Sequence, residues 1–491
     1  MSDLTSAATA PSARLGPPAA ATPPAEAPPA EAPPAEAAPS RRPAPPAVPL
    51  PRVVQTAGFV LGGVRFLEAC RHRYGDAVTM RTLFDNGFVM VFDPELVKQV
   101  FQGSGDQLHA GEANALLGPI LGRRSVLLLD GAEHLRQRRL MLPSFHGRQL
   151  LAHAETMRAC ADTEIDAWPV GEPFALLETM QSLTLRIILR TVFGYGPGGA
   201  EDELTRRLRA MVEPLSRRSG MMIVSAIVRG RGRSRAARRF QTSQRAVDEI
   251  LFAEIARRRG QGDLAERDDV FSALLTARDD EGRGLSDQEV RDELLTLLLA
   301  GHETTATGLA WTFDLLLHEP RVLARAGERD DRYLDAVVKE SLRLRPVIPG
   351  VGRVVRERPF ALNGYEVPVG VEINPSIRTM HRRADLYPSP DQFVPERFLG
   401  RDAPDTYTWL PFGGGTRRCL GASFALMEMR IILARVLERV TLHAVDATPA
   451  TAQLRVITLA PKGGVRVVQP RPPLALSAVP SRQPAPTHAP G

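Results

Sequence analysis

At 491 residues the chain has room for one large domain or two to three ordinary ones, and its formal charge of +6 is carried almost wholly by arginine, the lysines being only Lys98, Lys339 and Lys462. Acidic residues are interspersed nearly everywhere, so the charge does not mark a nucleic-acid surface, and no nucleic-acid partner is expected. Three cysteines without paired spacing argue for a reducing compartment; Met1 to Gly16 lacks the basic start and apolar region of a signal peptide, no apolar run is expected to reach the ~18 residues of a bilayer span, and a soluble, cytoplasmic protein follows.

Residues 1 to 51 are rich in Pro and Ala and repeat Pro-Pro-Ala-Glu-Ala at 23–27, 28–32 and 33–37; such a segment cannot bury a core, and a disordered tail is expected there and again over 469–491. Residues 52–468 alternate long helical patterns with short strand-like pieces. Val78 to Leu83 and Phe88 to Phe92 read as an early hairpin around Asp85-Asn86-Gly87. Gly131 to Arg139 reads as a helix with His134 and Arg138 four apart on one face, which by itself is as well explained by a solvated basic helix. Residues 216–245 join an apolar piece, Met221 to Val228, to a run of arginines; a mobile solvated loop and a surface resting on anionic lipid both fit.

Ser286 and Glu289 form a capping box that opens a helical pattern running to His318, roughly 50 Å at ~1.5 Å per residue. Inside it sits Ala300-Gly301-His302-Glu303-Thr304-Thr305, where Thr296, Ala300 and Thr304 share a face beside Gly301. Such a small, partly polar notch admits either a flat ligand or a closely packed helix. Asp335 to Pro346 reads as a helix with Glu340 and Arg343 three apart, and Pro395-Glu396-Arg397-Phe398 follows a Pro-containing loop. Between them Val347 to Arg353 runs from helix into strand; Leu454 to Leu459 and Val465 to Val468 read as a late strand pair around 461–464.

The most informative stretch is Phe412-Gly413-Gly414-Gly415-Thr416-Arg417-Arg418-Cys419-Leu420-Gly421, which places a cysteine behind a glycine-rich turn and before a largely apolar helix, Ala422 to Val440. Glycines allow close backbone approach, the helix N-terminus favours a thiolate, and Arg417 offers a fork for a carboxylate. A phosphate loop would need a following Gly-Lys-Ser/Thr, and zinc would need cysteines nearer than Cys70 and Cys160. A buried structural cysteine and a soft-metal ligand both remain.

The pattern F-x-x-G-x-R-x-C-x-G resembles the haem-ligand loop of the cytochrome P450 family, and Ala300 to Thr305 resembles that family's oxygen-binding motif A/G-G-x-D/E-T-T. Glu340-x-x-Arg343 and the Pro395 to Phe398 segment match its E-x-x-R and P-E-R-F elements, so four motifs stand in the family's order between about Val53 and Val468. Glu303, Arg417 and the Pro395 to Phe398 segment look closer to microsomal-type members than to many soluble bacterial ones.

The resemblance implies a mainly α fold with small β-sheets around one haem b, with Cys419 as axial iron ligand and His134, Arg138, Arg353 and Arg417 at the propionates. It makes Glu303 and Thr304 the proton-delivering pair, leaves His302 without a ligand role, and makes Glu340, Arg343 and Arg397 a structural network. It assigns O2 as co-substrate of a monooxygenase and an apolar pocket drawn from Thr296, Leu299, Ala300, Ile348, Pro349 and Val351, suited to a lipid or terpenoid. No flavin or nicotinamide motif is visible, so electrons are expected from a separate ferredoxin and ferredoxin reductase, to a monomer. A peroxygenase or isomerase on the same fold, or a haem sensor, are the alternatives; the Glu303-Thr304 pair favours the monooxygenase.

Overall fold

The computed structural model describes residues 42–470 apart from 84, 86, 197 and 217–234. The proposed disordered tails therefore lie mainly outside the described residues, and so does most of the apolar-and-arginine segment over 216–245, of which the helix Arg235–Arg259 is described. The fold begins before the expected boundary at 51/52. Val48 is buried and its N–H donates to Thr79 O at 3.0 Å, while Glu366 N–H donates to Pro43 O.

The organising element is the helix Asp287–Leu317, 31 residues and about 46 Å long at ~1.5 Å per residue. Its start is the expected capping box: Glu289 N–H donates to Ser286 Oγ, and Ser286 N–H to Glu289 Oε2 at 2.7 Å. The sequence shows no single apolar face because the helix is buried on nearly every side from Val290 to Leu316, its buried polar residues Arg291, Asp292, Glu293 and Thr296 being hydrogen-bonded. Helices Leu176–Val192, Asp331–Leu344 and Ala422–Arg439 surround it, and their Leu, Ile and Met side chains make one continuous core with it. Gly301 belongs to this packing: a Cβ there would stand 2.6 Å from Ile188 Cδ1 of the helix Leu176–Val192. Its small size serves helix approach, and the notch predicted beside Thr304 is at this position filled by Ile188.

Helix Asp331–Leu344 carries a polar knot within the core. Glu340 and Arg343 are both fully buried and joined by two bonds of 2.6 and 2.9 Å. Arg343 also donates to the carbonyls of His381, Pro390 and Gln392, while Glu340 Oε1 accepts from Val394 N–H and Arg397 Nε. A buried pair is tolerable when its remaining donors and acceptors are satisfied in this way. Glu396 stands outside the knot, on Arg321 and Tyr333.

The sheets are small. Five strands run in the order Ala77–Met80, Phe88–Val91, Glu372–Pro375, Arg353–Val355, Leu108–His109. The expected hairpin is their first pair, with Val78 opposite Met90, and Phe88–Val91 then pairs in parallel with Glu372–Pro375. The late strand pair needs correction. Val456 adopts φ +52°, so the stretch read as one strand is itself a hairpin, Ala452–Arg455 against Thr458–Pro461. Arg466–Val468 pairs instead with Phe174–Ala175 and His443–Ala444. The β-branched run Val456-Ile457-Thr458 without Gly, Pro, Asn or Asp concealed the turn, and Leu454 and Ile457 are exposed.

A second correction concerns the N-terminal helix. Contrary to the sequence expectation, Arg52–Tyr74 is by length and composition apolar enough to cross a membrane. In the fold it is broken by a π-turn over Gly58–Gly62 and lies against the first hairpin through Leu67 and Cys70, with Gln55 accepting from Arg81 N–H beside it.

Candidate haem-thiolate site

The cysteine loop is shaped by two left-handed glycines, Gly413 and Gly415, each at φ +65°. Cys419 N–H closes it by donating to Phe412 O at 2.9 Å, and the helix Ala422–Arg439 leaves directly afterwards. Gly414 and Gly415 press on Phe101: a Cβ at Gly415 would stand 1.9 Å from its carbonyl oxygen. Burial pushes the Cys419 thiol up, while the Gly421 N–H and the cations of Arg138 and Arg418 act the other way. A bound metal cation deprotonates such a sulfur outright.

Beside the cysteine lies an unbalanced group of cations. His134 is 3 % exposed, and its ring is driven down to about 3 by burial and by Arg417, Arg138 and Arg353, so it is neutral at pH 7. Arg353 and Arg417 are each lowered to about 10, chiefly by burial; the Arg417 charge lowers Arg353 further, while Asp130 opposes the shift at both. Arg138 faces both Cys419 and Arg418. Arg353 stacks on the Phe101 ring at 5.6 Å, and a cavity of about 40 Å³ is bounded by Phe101, Gly131, His134, Arg353 and Arg417. The one carboxylate engaged here is Asp130, which accepts from Arg417. Among the described residues three arginines and a neutral histidine, from the helix Gly131–Met141, the strand Arg353–Val355 and the cysteine loop, thus meet one acid, and a group carrying two carboxylates fits the surplus of positive charge. The propionates of a haem are such a group.

The loop Ser125–Asp130 ties this cluster to the long helix. Arg417 donates to Val126 O at 3.2 Å and to Leu129 O, while Val126 N–H donates to Glu293 Oε1 at 2.6 Å. Thr296 Oγ1 donates to Ser125 Oγ at 2.8 Å or to Asp292 O at 2.6 Å. Thr296 is therefore buried and turned to the loop, unlike Ala300, which is exposed, and Thr304, which is half-buried and donates to Ala300 O at 2.6 Å. Glu303 accepts from Gln181 Nε2 at 2.6 Å. His302 is buried with Nδ1 3.0 Å from Leu298 O. Leu299, Ile348, Pro349 and Val351 are half-buried, and Val351 packs on the sheet core. Asp130, Gln181, Ser125 and Phe101 carried no sequence signal, since each acts across more than a hundred residues on a partner no local pattern names.

Glu293 makes this loop sensitive to pH. It is fully buried, holds Val126 N–H and Gln137 Nε2, and is raised to about 8 by desolvation. Its folded value stands above its unfolded one, so the native state holds the extra proton and stability falls as pH rises from about 4.5 towards about 8. Glu293→Gln keeps an acceptor at the same place. Chemical denaturation of holoprotein across that range should show a flatter pH profile for the variant, and an unchanged profile would count against the assignment.

Comparison with known proteins agrees with this geometry. The family model for Cytochrome P450 matches residues 43–466. Putative cytochrome P450 135B1 of Mycobacterium tuberculosis strain H37Rv is 40% identical over 438 residues, covering 86% of this chain and 90% of that protein. Putative cytochrome P450 137 of strain CDC 1551 is 38% identical over 436 residues, covering 86% and 90%. Among solved structures, retinoic acid bound cyanobacterial CYP120A1 superposes with a TM-score of 0.73 at 22% identity, over 87% of this chain and 99% of that one. With a cysteine loop, a surplus of buried cations beside it and a match over nearly the whole described fold, the chain belongs to the cytochrome P450 family and is a haem-thiolate monooxygenase.

Proposed function

We propose that Cys419 is the axial ligand of a haem b whose propionates are held by His134, Arg138, Arg353 and Arg417, and that the enzyme inserts one oxygen atom of O2 into a C–H bond of a lipophilic substrate such as a fatty acid or terpenoid, by hydroxylation or epoxidation. The observation that carries this reading is the surplus of arginines beside Cys419, where Arg138, Arg353 and Arg417 face the single carboxylate of Asp130. When bound, the haem supplies the activation of O2 and the oxidation of carbon. The protein supplies position and protons. Thr304, its own proton given to Ala300 O, presents its oxygen as an acceptor, and Glu303, held by Gln181, feeds protons towards it by way of water.

Leu299, Ala300, Ile348, Pro349 and Val351 contribute the apolar wall against the substrate, and Thr296 acts through the Ser125 loop. Electrons come from a separate ferredoxin and its reductase, delivered to a cytoplasmic monomer. Optical titration of the ferric protein with fatty acids, terpenes, steroids and macrolides tests the substrate class: a Soret shift to high spin identifies it. A panel without any shift removes the lipophilic reading while leaving thiolate ligation to the ferrous-CO spectrum. In Thr304→Ala, product formed per electron should drop about tenfold or more with the CO spectrum unchanged. Fully coupled turnover in that variant would take the proton role from Thr304.

A further inference from the structure

The segment that leads from Ile348 and Pro349 into the strand Arg353–Val355 carries two glycines, Gly350 and Gly352, one on each side of Val351. Val351 packs on the sheet core, and its N–H donates to Pro375 O at 3.4 Å, so the segment runs beside the strand Glu372–Pro375. Side chains alternate along an extended chain, and a group at 350 or 352 would therefore project to the face that Val351 leaves. Two polar side chains of the neighbouring strand hold that space instead. A Cβ at Gly352 would stand 2.2 Å from Glu372 Oε1, and one at Gly350 would stand 2.5 Å from Asn374 Oδ1. Ala113 closes the other side, its Cβ 2.9 Å from the same position at Gly352.

The hydrogen bonding of this pair is one-sided. Asn374 Nδ2 donates to Glu372 Oε1 at 3.2 Å, and among the described residues no further donor reaches Glu372 Oε2 or Asn374 Oδ1. No cation balances the carboxylate either. Burial pushes it above the ordinary range and the charge of Asp85 adds to that, with only the Asn374 amide acting the other way. Glu372 and Asn374 are both half-buried, so they have given up water without gaining an ion pair. What is left open is a set of acceptors, and the group that complements acceptors is a donor.

We propose that Glu372 and Asn374 form a polar clamp at the edge of the substrate wall, which accepts a hydroxyl of the substrate and so selects a lipophilic alcohol over the carboxylic acid of the same skeleton. The clamp rests on the reading of Ile348 and Pro349 as substrate contacts, and it narrows the substrate class at that site. A hydroxyl donates to either free oxygen, whereas a carboxylate would face two acceptors with Asp85 near them. The two residues determine specificity and take no part in the oxidation.

The test is optical titration of full-length ferric holoprotein with matched ligands: geranylgeraniol, its methyl ether and geranylgeranoic acid, then hexadecanol, its methyl ether and hexadecanoic acid. For wild type the alcohol should shift the Soret band with a Kd at least about tenfold below those of the ether and the acid of its skeleton. Glu372→Gln keeps the shape and removes the charge, and should bring the acid to within about threefold of the alcohol at an unchanged ferrous-CO spectrum. Gly352→Ala, whose Cβ would displace the carboxylate, should erode the advantage of the alcohol in the same way. Equal Kd values for alcohol and ether in wild type overturn the clamp and leave the lipophilic reading standing. So does an alcohol-to-acid ratio that Glu372→Gln does not alter. A band that no compound of either set shifts removes the lipophilic reading and the clamp together.

Discussion

Arg343→Ala is expected to yield protein that does not load haem, with a loss of stability of about 3–5 kcal/mol, because removing one partner leaves Glu340 charged in a dry core. The effect extends beyond the ion pair. Arg343 holds the carbonyls of His381, Pro390 and Gln392, and the His381 ring bonds back to Arg343 O through Nδ1 while Nε2 accepts Leu410 N–H at 2.8 Å. Leu410 stands two residues before the start of the cysteine loop. The knot thus anchors that loop's entry, and its loss should appear as a low haem-to-protein absorbance ratio together with a lowered unfolding midpoint. A variant that loads normally would show the knot to be dispensable. Acid strains the same place: His381, like His134, is driven down to about 3 by burial, so its neutral ring contributes stability that is lost as pH falls below the ordinary imidazole value towards 3.

Gly415→Ala should be the second most damaging change, and Gly413→Ala provides its internal control. Both glycines sit at φ +65°, where an alanine costs about 1–2 kcal/mol of backbone strain. Nothing lies within 4 Å of a Cβ at Gly413, whereas at Gly415 it would stand 1.9 Å from the carbonyl oxygen of Phe101 and 2.9 Å from the carbonyl carbon. Backbone cannot yield as a side-chain tip can, so the end of the helix Pro94–Gln102 must move. With it moves the Phe101 ring on which Arg353 stacks. Thermal melts and haem content should therefore separate the two variants, Gly413→Ala remaining near wild type in loading and Gly415→Ala losing it. Equal behaviour would mean that the close approach carries no weight.

What the sequence revealed were features that act within one turn of chain. The capping box at Ser286 and Glu289, the pair Glu340 and Arg343, and the cysteine behind its glycines are short patterns whose chemistry depends on near neighbours. The hairpin at 77–91 was legible because alternation and a turn signal agree there. The late strands misled because β-branched residues run straight through the turn at Val456-Ile457, and only the backbone shows the left-handed residue that folds the stretch back. Gly301 was ambiguous, since a small residue looks the same whether it admits a ligand or the Ile188 side chain. The tie from Ser125 and Val126 to Thr296 and Glu293, and the seat of Arg417 on Asp130, join residues more than 160 positions apart in the chain. Such pairs leave no trace in a single sequence.

The cation surplus has a consequence for assembly. Buried like charges raise the free energy of the folded chain unless an anion shares their space, so Arg353, Arg417 and Arg138 work against closure of the recess around His134. The anion that relieves this repulsion binds the native state and not the unfolded one, and so its affinity adds directly to stability. The segment Ser125–Asp130 joins that cluster to the long helix, through Arg417 on one side and through Glu293 and Thr296 on the other, so relief of the repulsion at the cations bears directly on the packing of the helix.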